Sequence, residues 1–239
     1  MHDVLRVYIG FDSREVAAYD VAKASLLEHA SQPVVVTPLH LQRLQAQGLS
    51  ERPYRIYRGS VWDVISDAPV STEFANTRFL VPLLSQTGWA LFTDCDVLFM
   101  ADVAELFALA DPRYAVMCVK HTHEPAEGTK MDGCVQTSYP RKNWSSVMLF
   151  NCEHPAHQHL TLSRINNAPG RDLHRFHWLH DEEIGELPSE WNWLVGVQPK
   201  PLNPRIAHYT LGGPWLPEWK ESEHDELWLD SHRRNTSAG

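Results

Sequence analysis

The sequence is poor in cysteine and has no long hydrophobic run. Its four cysteines are Cys95, Cys118, Cys134 and Cys152. They form no Cys-x-x-Cys pair, which predicts reduced thiols rather than a disulfide framework. No apolar stretch approaches the roughly 20 residues that a membrane-spanning helix needs. The residues Met1-His2-Asp3 lack the basic start of a signal peptide, and no apolar core follows them. We therefore expect a soluble, cytoplasmic protein with no transmembrane segment, and leave peripheral membrane contact open.

Positive charge is also scarce. The formal net charge is −9 and no basic run occurs, which argues against a nucleic-acid-binding protein. An anionic substrate such as a sugar nucleotide would then need local Arg, Lys or metal charge to offset the overall field. The 239 residues are 43% hydrophobic, enough for one domain with a substantial core.

The opening of the chain alternates strand and helix patterns. Val4–Ile9 predicts a strand, Val16–Leu27 a helix and Pro33–Thr37 a second strand. This order predicts an α/β fold whose mixed, mainly parallel sheet is flanked by helices. Asp12 and Glu15 have the spacing of a capping box for the first helix. No Gly-x-Gly-x-x-Gly follows the first strand, which disfavours dinucleotide binding.

The remaining elements follow from the same patterns. We predict an irregular segment over residues 50–70 and a charged tail beyond Pro217, frayed over residues 235–239. The further predicted helices are Ser71–Ser85, Asp102–Ala110 and Pro155–Asn166, and the further strands are Trp89–Phe92, Tyr114–Val119, Ser146–Phe150 and Ile206–Thr210.

One stretch has a pattern typical of a metal site. Asp94 and Asp96 follow the apolar run Trp89–Phe92 at positions i and i+2 and precede a second apolar run. In extended backbone this spacing places both carboxylates on one face, where they can converge on one cation. Two carboxylates so close together need a neutralising charge, and Mg²⁺ or Mn²⁺ is the simplest. In the alternative interpretation, Asp94 caps a turn and Asp96 caps the next helix.

One of the fourteen histidines is a candidate third ligand. His208 lies in the last predicted strand, just before a Gly-Gly-Pro-Trp turn. An imidazole would complete a carboxylate shell more naturally for Mn²⁺ than for Mg²⁺. The alternative is a core histidine with ordinary hydrogen bonds. Zinc is disfavoured, because the histidine spacing lacks a His-x-x-x-His pair and no cysteine accompanies it.

Arg78 lies within the apolar pattern of the helix predicted over residues 71–85. A buried arginine needs an anionic partner. A salt bridge to Glu73 and a phosphate contact are both compatible with this position. Several of the nine tryptophans also lie in loops, where a flat ring could stack on a sugar or nucleobase or contact a partner protein.

These motifs occur in an order that resembles a known enzyme family. The set comprises Thr77-Arg78-Phe79, Phe92–Asp96, Ser145–Asn151, Asp181-Glu182, Leu187-Pro188, Trp191-Asn192, His208–Thr210 and Gly213–Trp215. Together they resemble the GT-A fold glycosyltransferases of family 8, relatives of glycogenin and of bacterial lipopolysaccharide galactosyltransferases. The resemblance implies a single GT-A-type, Rossmann-like domain over residues 1–220, followed by a charged tail over residues 221–239.

The resemblance implies a retaining hexosyltransferase. Its donor would be a nucleotide-diphosphate sugar, usually linked to UDP, its cofactor Mn²⁺ or Mg²⁺, and its acceptor a glycan or other hydroxyl. The implied metal ligands are Asp94, Asp96 and His208. The implied catalytic residues are Asp181, Asn151 and Arg78, with Arg78 also holding the donor. The other implied donor-binding residues are Phe11 and Asp12 near the nucleoside, Asp94 and Cys95 in the acidic motif, and Gly213, Trp215 and Lys220 near the diphosphate.

Two positions depart from the family pattern. Family members often carry Asp-Gln where this chain has Asp181-Glu182, and Lys-Pro-Trp where it has Gly213-Pro214-Trp215. Lys220 is the candidate replacement for the missing lysine. Asp181 also has a structural interpretation, as the cap of a short helix.

Two other functions stay open on the sequence. A nucleotidyltransferase could use a similar sheet, although it should carry a Gly-rich loop with Arg or Lys after the first strand, which this chain lacks. A non-catalytic carbohydrate-binding protein could use the tryptophan loops. Hydrolysis of a sugar nucleotide in the presence of Mn²⁺ would separate such a protein from an enzyme.

Overall fold

The structure, a computed structural model, describes residues 4–121, 141, 143–219 and 224–237. Within these residues the strands are β1 (Leu5–Gly10), β2 (Val34–Leu39), β3 (Tyr54–Tyr57), β4 (Ser60–Asp63), β5 (Ala68–Pro69), β6 (Trp89–Thr93), β7 (Val97–Phe99), β8 (Val116–Cys118), β9 (Val147–Asn151), β10 (Ile184–Glu186), β11 (Trp193–Leu194) and β12 (Ile206–His208). The α-helices are α1 (Val16–His29), α2 (Leu41–Ala46), α3 (Val81–Ser85), α4 (Val103–Phe107), α5 (Leu162–Asn167), α6 (Gly170–His174) and α7 (Asp225–Ser237).

The central sheet has six strands in the order β10-β8-β9-β6-β1-β2. β6 and β2 both run parallel to β1, and β10 runs parallel to β8. β9 is antiparallel to both of its neighbours, β6 and β8. The sheet is therefore mixed but mainly parallel, which confirms the predicted fold class.

The central strands are apolar runs because they are buried on both faces. Val7, Leu91 and Leu149, on three adjacent strands, are all completely buried. Helix α1 adds Ala18 and Val21, both completely buried, and the Ser25 hydroxyl of the same helix accepts a hydrogen bond from Phe99 N in β7 (3.1 Å). The core thus holds β6 and β7 in place on either side of Asp94-Cys95-Asp96.

A second sheet, β11-β12-β7, brings a distant part of the chain to this acidic stretch. β12 is antiparallel to β7, with His208 opposite Val97. Tyr209 N also donates a hydrogen bond to Asp96 O (2.9 Å). Strand β7 was not among the predicted strands, because its three residues are too short to show a period.

The segment predicted to be irregular is ordered, so that prediction is wrong. β3, β4 and β5 form an antiparallel sheet over residues 54–69. The turn between β3 and β4 is made by Arg58 and Gly59, both with positive φ (51° and 79°), as a tight hairpin requires. A buried ion pair between Arg52 and Asp63 anchors the base of this sheet.

Two predicted helices are interrupted. The helix predicted over residues 71–85 is a single 3₁₀ turn, Thr77–Leu80, followed by α3. The helix predicted over residues 155–166 divides into a 3₁₀ turn, Pro155–His159, and α5. Thr161 accounts for the second break, because its hydroxyl accepts a hydrogen bond from Arg164 N (3.1 Å) and starts a new helix.

The charged tail contains helix α7 from residue 225 to 237, which includes residues 235–237 that were predicted to fray. Trp228 of α7 is 2% exposed and packs against Trp215, with ring centroids 5.3 Å apart. Arg234 forms an ion pair with Glu28 of α1 (3.3 Å). Trp228 and Arg234 thus attach this charged segment to Trp215 and to α1. None of the helices in the described ranges is long and apolar enough to cross a membrane.

Candidate active site

Asp94, Asp96 and His208 meet at the carboxyl end of β6. Each offers one ligand atom, and these three atoms all lie within 4.8 Å of one another. Asp94 follows the last residue of β6 and donates its backbone N–H to Ser146 O (2.9 Å). The carboxyl edge of an open α/β sheet is where this class of fold places its ligands.

Arg78 is bound to one of these carboxylates rather than to Glu73. Its Nη1 lies 2.8 Å from Asp94 Oδ1 and donates to Ser145 O (2.8 Å). The residue is 5% exposed, and its guanidinium lies over the rings of Phe74 and Phe92. A buried charge of this kind is fixed in position by its partners. Arg78 therefore holds the Asp94 carboxylate in place.

His208 is 2% exposed and bridges two groups. Its Nε2 lies 3.3 Å from Asp96 Oδ1, and its Nδ1 lies 2.9 Å from Asn192 Oδ1. Two carboxylates and one imidazole are ligands that both Mn²⁺ and Mg²⁺ accept, with the nitrogen favouring Mn²⁺. The residues present therefore fit a divalent cation. Capping, the alternative for Asp96, is not its role, because Asp102 caps α4 by accepting from Ala104 N (2.9 Å).

A half-buried acid, Glu15, lies behind the site. Burial and the nearby carboxylates of Asp96 and Asp12 raise the pKa of Glu15 to about 7. Cys95 is completely buried, and its thiol contacts Glu15 Oε2 (3.3 Å). Burial, followed by Glu15 and the acidic pair, raises the pKa of Cys95 well above its usual range. Cys95 is thus a neutral thiol that points into the core.

The sequence indicated Glu15 only as part of a capping box with Asp12, and that prediction is wrong. Asp12 instead accepts from Arg14 N (2.9 Å) and Glu73 N (3.0 Å) and pairs with the Arg14 guanidinium (2.7 Å). Burial acts to raise the pKa of Asp12, but the hydrogen bonds from Arg14 and Glu73 outweigh it and hold the pKa below its usual range. Asp12 is therefore an ionised, completely buried carboxylate that joins the end of β1 to residue 73.

Phe11 lies at the same end of β1. Its ring packs 3.9 Å from the His40 ring and 5.3 Å from the Tyr19 ring, measured between centroids. The side chain is half-buried. The structure therefore places Phe11 at the carboxyl edge of the sheet, beside Asp12.

Gly213 and Trp215 lie in the loop after β12. The Trp215 ring packs against Tyr209 (6.0 Å) as well as Trp228. A Cβ at Gly213 would lie 2.1 Å from the Trp215 ring, so glycine is required for this close approach. Trp215 is thus half-buried, with its ring packed against Tyr209 and Trp228. Lys220, the predicted phosphate ligand, lies outside the described residues.

The structure does not bring Asn151 to the metal-ligand candidates. Asn151 pairs with Trp89 at the start of β6, whereas Val147 pairs with Thr93 at its end. Four residues of strand separate these positions, roughly 13 Å at the usual rise. Sequence order could not reveal this separation, because it depends on β9 being antiparallel to β6.

Asp181 is exposed and pairs with Arg141. It does not cap the turn Asp181–Glu183, because Glu183 Oε2 accepts the hydrogen bond from His180 N (2.8 Å). The Arg141 guanidinium also lies 5.6 Å from the centroid of the Trp144 ring. Arg141 thus connects Asp181 to the 3₁₀ turn Trp144–Ser146, which leads into the strand end at the site.

His121, which was not among the predicted site residues, follows β8 at the same edge. Its Nδ1 lies 3.1 Å from Gln198 Nε2, and its backbone oxygen accepts from Trp144 Nε1 (3.0 Å). Burial, and then the proximity of His208, lower the pKa of His121 to about 4. Within the described part of the chain, its buried Nε2 makes no hydrogen bond. A histidine directly after a predicted parallel strand was the available signal.

Comparison with known proteins identifies one family in sequence and one fold in structure. No protein-family model matches the chain. Protein CDI of Arabidopsis thaliana is 47% identical over 231 residues, which cover 94% of this chain and 85% of that protein.

Among solved structures, glycosyltransferase GlyE of Streptococcus pneumoniae superposes with a TM-score of 0.59 at 15% identity. This match covers 96% of the present chain but 60% of GlyE, so the chain spans about three fifths of that relative. The galactosyltransferase LgtC, bound to donor and acceptor sugar analogues, has a TM-score of 0.56 at 12% identity, with 96% of both chains covered. Mouse xyloside xylosyltransferase 1 has a TM-score of 0.53 at 13% identity, over 86% of this chain and 97% of that one.

These structural likenesses establish the fold, which is that of GT-A-type glycosyltransferases. The sequence identity over most of both chains establishes the family. The chain belongs to the family of Protein CDI of Arabidopsis thaliana.

Proposed function

We propose that this protein is a metal-dependent glycosyltransferase that moves a sugar from a nucleotide-diphosphate donor to an acceptor hydroxyl. The observation that carries the proposal is the convergence of Asp94, Asp96 and His208, whose ligand atoms lie within 4.8 Å at the carboxyl edge of the sheet. The fold supports it, since GlyE, LgtC and xyloside xylosyltransferase 1 are glycosyltransferases of the same fold.

The three candidate ligands would hold Mn²⁺ or Mg²⁺, with Mn²⁺ preferred because of the imidazole nitrogen. A bound divalent cation neutralises charge that develops on a diphosphate leaving group. Arg78 would act through Asp94, because its guanidinium, 2.8 Å from Asp94 Oδ1, keeps that carboxylate oriented beside Asp96. We therefore propose Arg78 as a positioning residue as well as a donor-side charge.

A nucleotide sugar is the proposed donor, and UDP is the proposed nucleotide. LgtC binds donor and acceptor sugar analogues in the same fold. Phe11 and Asp12 would lie near the nucleoside, with Gly213, Trp215 and Lys220 near the diphosphate. Cys95 would support the acidic motif from the core. These assignments follow the resemblance to family 8 and the position of Phe11 and Asp12 at the carboxyl edge.

Retention at the anomeric carbon is the proposed stereochemical course. Asp181 is the proposed carboxylate at the reacting sugar, where it could stabilise developing positive charge. Because it pairs with Arg141 and is exposed, it would have to turn from that partner when substrate binds. We propose no role for Asn151, since the β6–β9 register places it at the opposite end of the sheet.

A thermal-shift panel of sugar nucleotides with and without Mn²⁺ tests the proposal. A ligand that binds only the native state raises the melting temperature. We expect a UDP-sugar to raise it in the presence of Mn²⁺, and Asp96→Asn to abolish the effect. Asp111→Asn, at a half-buried acid paired with the exposed Arg113 away from the site, is the matched control and should respond like the wild type.

The proposal is wrong if no sugar nucleotide gives a Mn²⁺-dependent shift, or if Asp96→Asn responds like Asp111→Asn. Binding without turnover would favour a carbohydrate-binding protein, so release of UDP must be measured with the same ligand.

NMR of the product's anomeric configuration then tests retention. Asp181→Asn should lower kcat while leaving donor binding intact.

A further inference from the structure

Asn192 joins His208 to the start of β9 through a chain of hydrogen bonds. The residue is completely buried. Its Oδ1 lies 2.9 Å from His208 Nδ1, and its Nδ2 lies 2.9 Å from Ser146 Oγ and 3.5 Å from Asn143 O. It occupies the 3₁₀ turn Ser189–Asn192, directly before β11, which pairs with the strand of His208.

The direction of each hydrogen bond follows from one backbone carbonyl. Asn143 O can only accept, and the Ser146 hydroxyl donates its single proton to it (2.7 Å). Ser146 Oγ is then an acceptor toward Asn192, so the amide nitrogen of Asn192 must face it. This orientation places the carbonyl oxygen of Asn192 against His208, where it can only accept.

His208 must therefore carry its proton on Nδ1. In a neutral imidazole the other nitrogen, Nε2, is then a lone-pair acceptor. That Nε2 lies 3.3 Å from Asp96 Oδ1. A lone pair facing a carboxylate oxygen is repulsive, so this arrangement would be favourable with a cation that contacts both atoms.

We propose that Asn192 is a positioning residue that holds His208 in the Nδ1–H tautomer and so presents Nε2 to a cation shared with Asp94 and Asp96. The inference rests on the metal site of the proposed function. A histidine that binds a metal usually donates its other N–H to a carboxylate, a carbonyl or water, which fixes both tautomer and ring orientation. An amide performs this task without adding a third negative charge beside the two aspartates.

The test measures Mn²⁺ affinity by calorimetry and the tautomer by ¹⁵N NMR of the His208 ring in metal-free protein. Asn192→Leu removes the acceptor, and we expect Mn²⁺ affinity to fall about 10- to 100-fold and the Nδ1–H signal to give way to mixed tautomers. Asn192→Asp keeps an acceptor and should retain the Nδ1–H tautomer. Ser146→Ala frees the amide to rotate and should give an intermediate loss of affinity.

A matched control separates positioning from general destabilisation. Asn166 is also a buried asparagine. Its side-chain amide forms hydrogen bonds with backbone atoms, and its Oδ1 accepts one from Glu51 N (2.8 Å). It lies apart from the site residues along the chain. Asn166→Leu should lower the melting temperature without changing Mn²⁺ affinity or the His208 signal. If Asn192→Leu does not fold, the Ser146→Ala and Asn192→Asp variants are used for the test instead.

The failures can be told apart. Wild-type affinity and an unchanged Nδ1–H signal in Asn192→Leu, alongside a loss of affinity in Asp96→Asn, would overturn the role of Asn192 and leave the proposed function standing. The positioning role of Asn192 is also overturned by a second pair of results. In these, Ser146→Ala has the Mn²⁺ affinity of the wild type, and Asn192→Asp has the reduced Mn²⁺ affinity of Asp96→Asn. Absence of Mn²⁺ binding by the wild type would overturn both the metal site and this inference.

Discussion

At the scale of single residues, the site contains one buried positive charge, that of Arg78, and two negative carboxylates. Arg78 lies 2.8 Å from Asp94, with Asp96 close by. Removing one partner of a buried ion pair leaves an uncompensated charge, which is costly. A divalent cation can supply the missing positive charge. Arg78 and a metal therefore stabilise the same pair of carboxylates.

This balance predicts the behaviour of Arg78→Met. In EDTA the variant should lose about 3–5 kcal/mol of unfolding free energy, because the carboxylates lose their guanidinium. Mn²⁺ should then raise its melting temperature more than that of the wild type. Differential scanning calorimetry with EDTA and with Mn²⁺ provides both measurements.

Arg113→Met is the control for the charge change. Arg113 pairs with Asp111 at 2.6 Å, but its side chain is 76% exposed, so little stability should be lost. An Arg78→Met protein as stable as Arg113→Met in EDTA would show that Arg78 does not support the site.

The raised pKa of Glu15 predicts that the stability of the protein depends on pH. Burial and the charges of Asp96 and Asp12 raise its pKa to about 7 in the folded protein, against an ordinary value of 4.5. The folded state thus binds a proton more tightly than the unfolded chain. The contribution of Glu15 to the free energy of unfolding is fully present below pH 4.5. It is lost as the pH rises through about 7.

Glu15→Gln imitates the protonated carboxyl and should remove this loss. In metal-free protein, the variant should melt higher than the wild type at pH 8, with a smaller difference at pH 5. The facing groups that also titrate, Asp96, Asp12 and Cys95, remain in both proteins, as does Arg14. Equal differences in melting temperature at the two pH values would contradict a raised pKa for Glu15.

At the scale of elements, α7 closes over the loop that follows β12. Trp228 packs against Trp215, and the Tyr209 hydroxyl donates to His224 O (2.9 Å) just before the helix. The Gly213–Trp215 loop thus lies between the strand of His208 and the last helix. A change in α7 should consequently reach the loop proposed to contact the diphosphate.

Trp228→Ala tests this arrangement. Replacing a buried tryptophan by alanine should cost about 3–5 kcal/mol of unfolding free energy, through lost burial and the cavity left behind. Near-ultraviolet circular dichroism should change as well, since Trp215 loses its ring partner. Glu226→Ala, at an exposed position of the same helix, should stay within about 0.5 kcal/mol of the wild type. Equal stability of the two variants would show that α7 is dispensable.

At the scale of the whole molecule, the net charge of −9 attracts cations and repels anions. Raising the salt concentration from 0.1 M to 1 M shortens the Debye length from about 10 Å to about 3 Å. Mn²⁺ affinity should therefore fall as salt rises, because the field of distant carboxylates is screened. Calorimetric titration at several salt concentrations measures the slope, and a salt-independent affinity would limit the attraction to the site itself.

Local pattern was sufficient for much of this protein. Apolar runs such as Trp89–Phe92 predict buried strands because a run of consecutive apolar side chains is a local feature, visible without knowledge of distant contacts. The i, i+2 spacing of Asp94 and Asp96 likewise brings two carboxylates to one place without help from distant residues. The α/β class, the central strands and the acidic pair of the candidate site were therefore predictable.

Tertiary structure decided what depends on distant partners. The antiparallel course of β9 separates Asn151 from Asp94, and the pairing of β12 with β7 brings His208 to Asp96. The sequence left Glu73 and a phosphate open as partners of Arg78, and in the folded chain Arg78 pairs with Asp94, which was neither of them. The tautomer of His208 depends on hydrogen bonds through Asn192 to the start of β9. Such contacts join residues far apart in the chain, and their geometry exists only once strand register and packing have placed both partners.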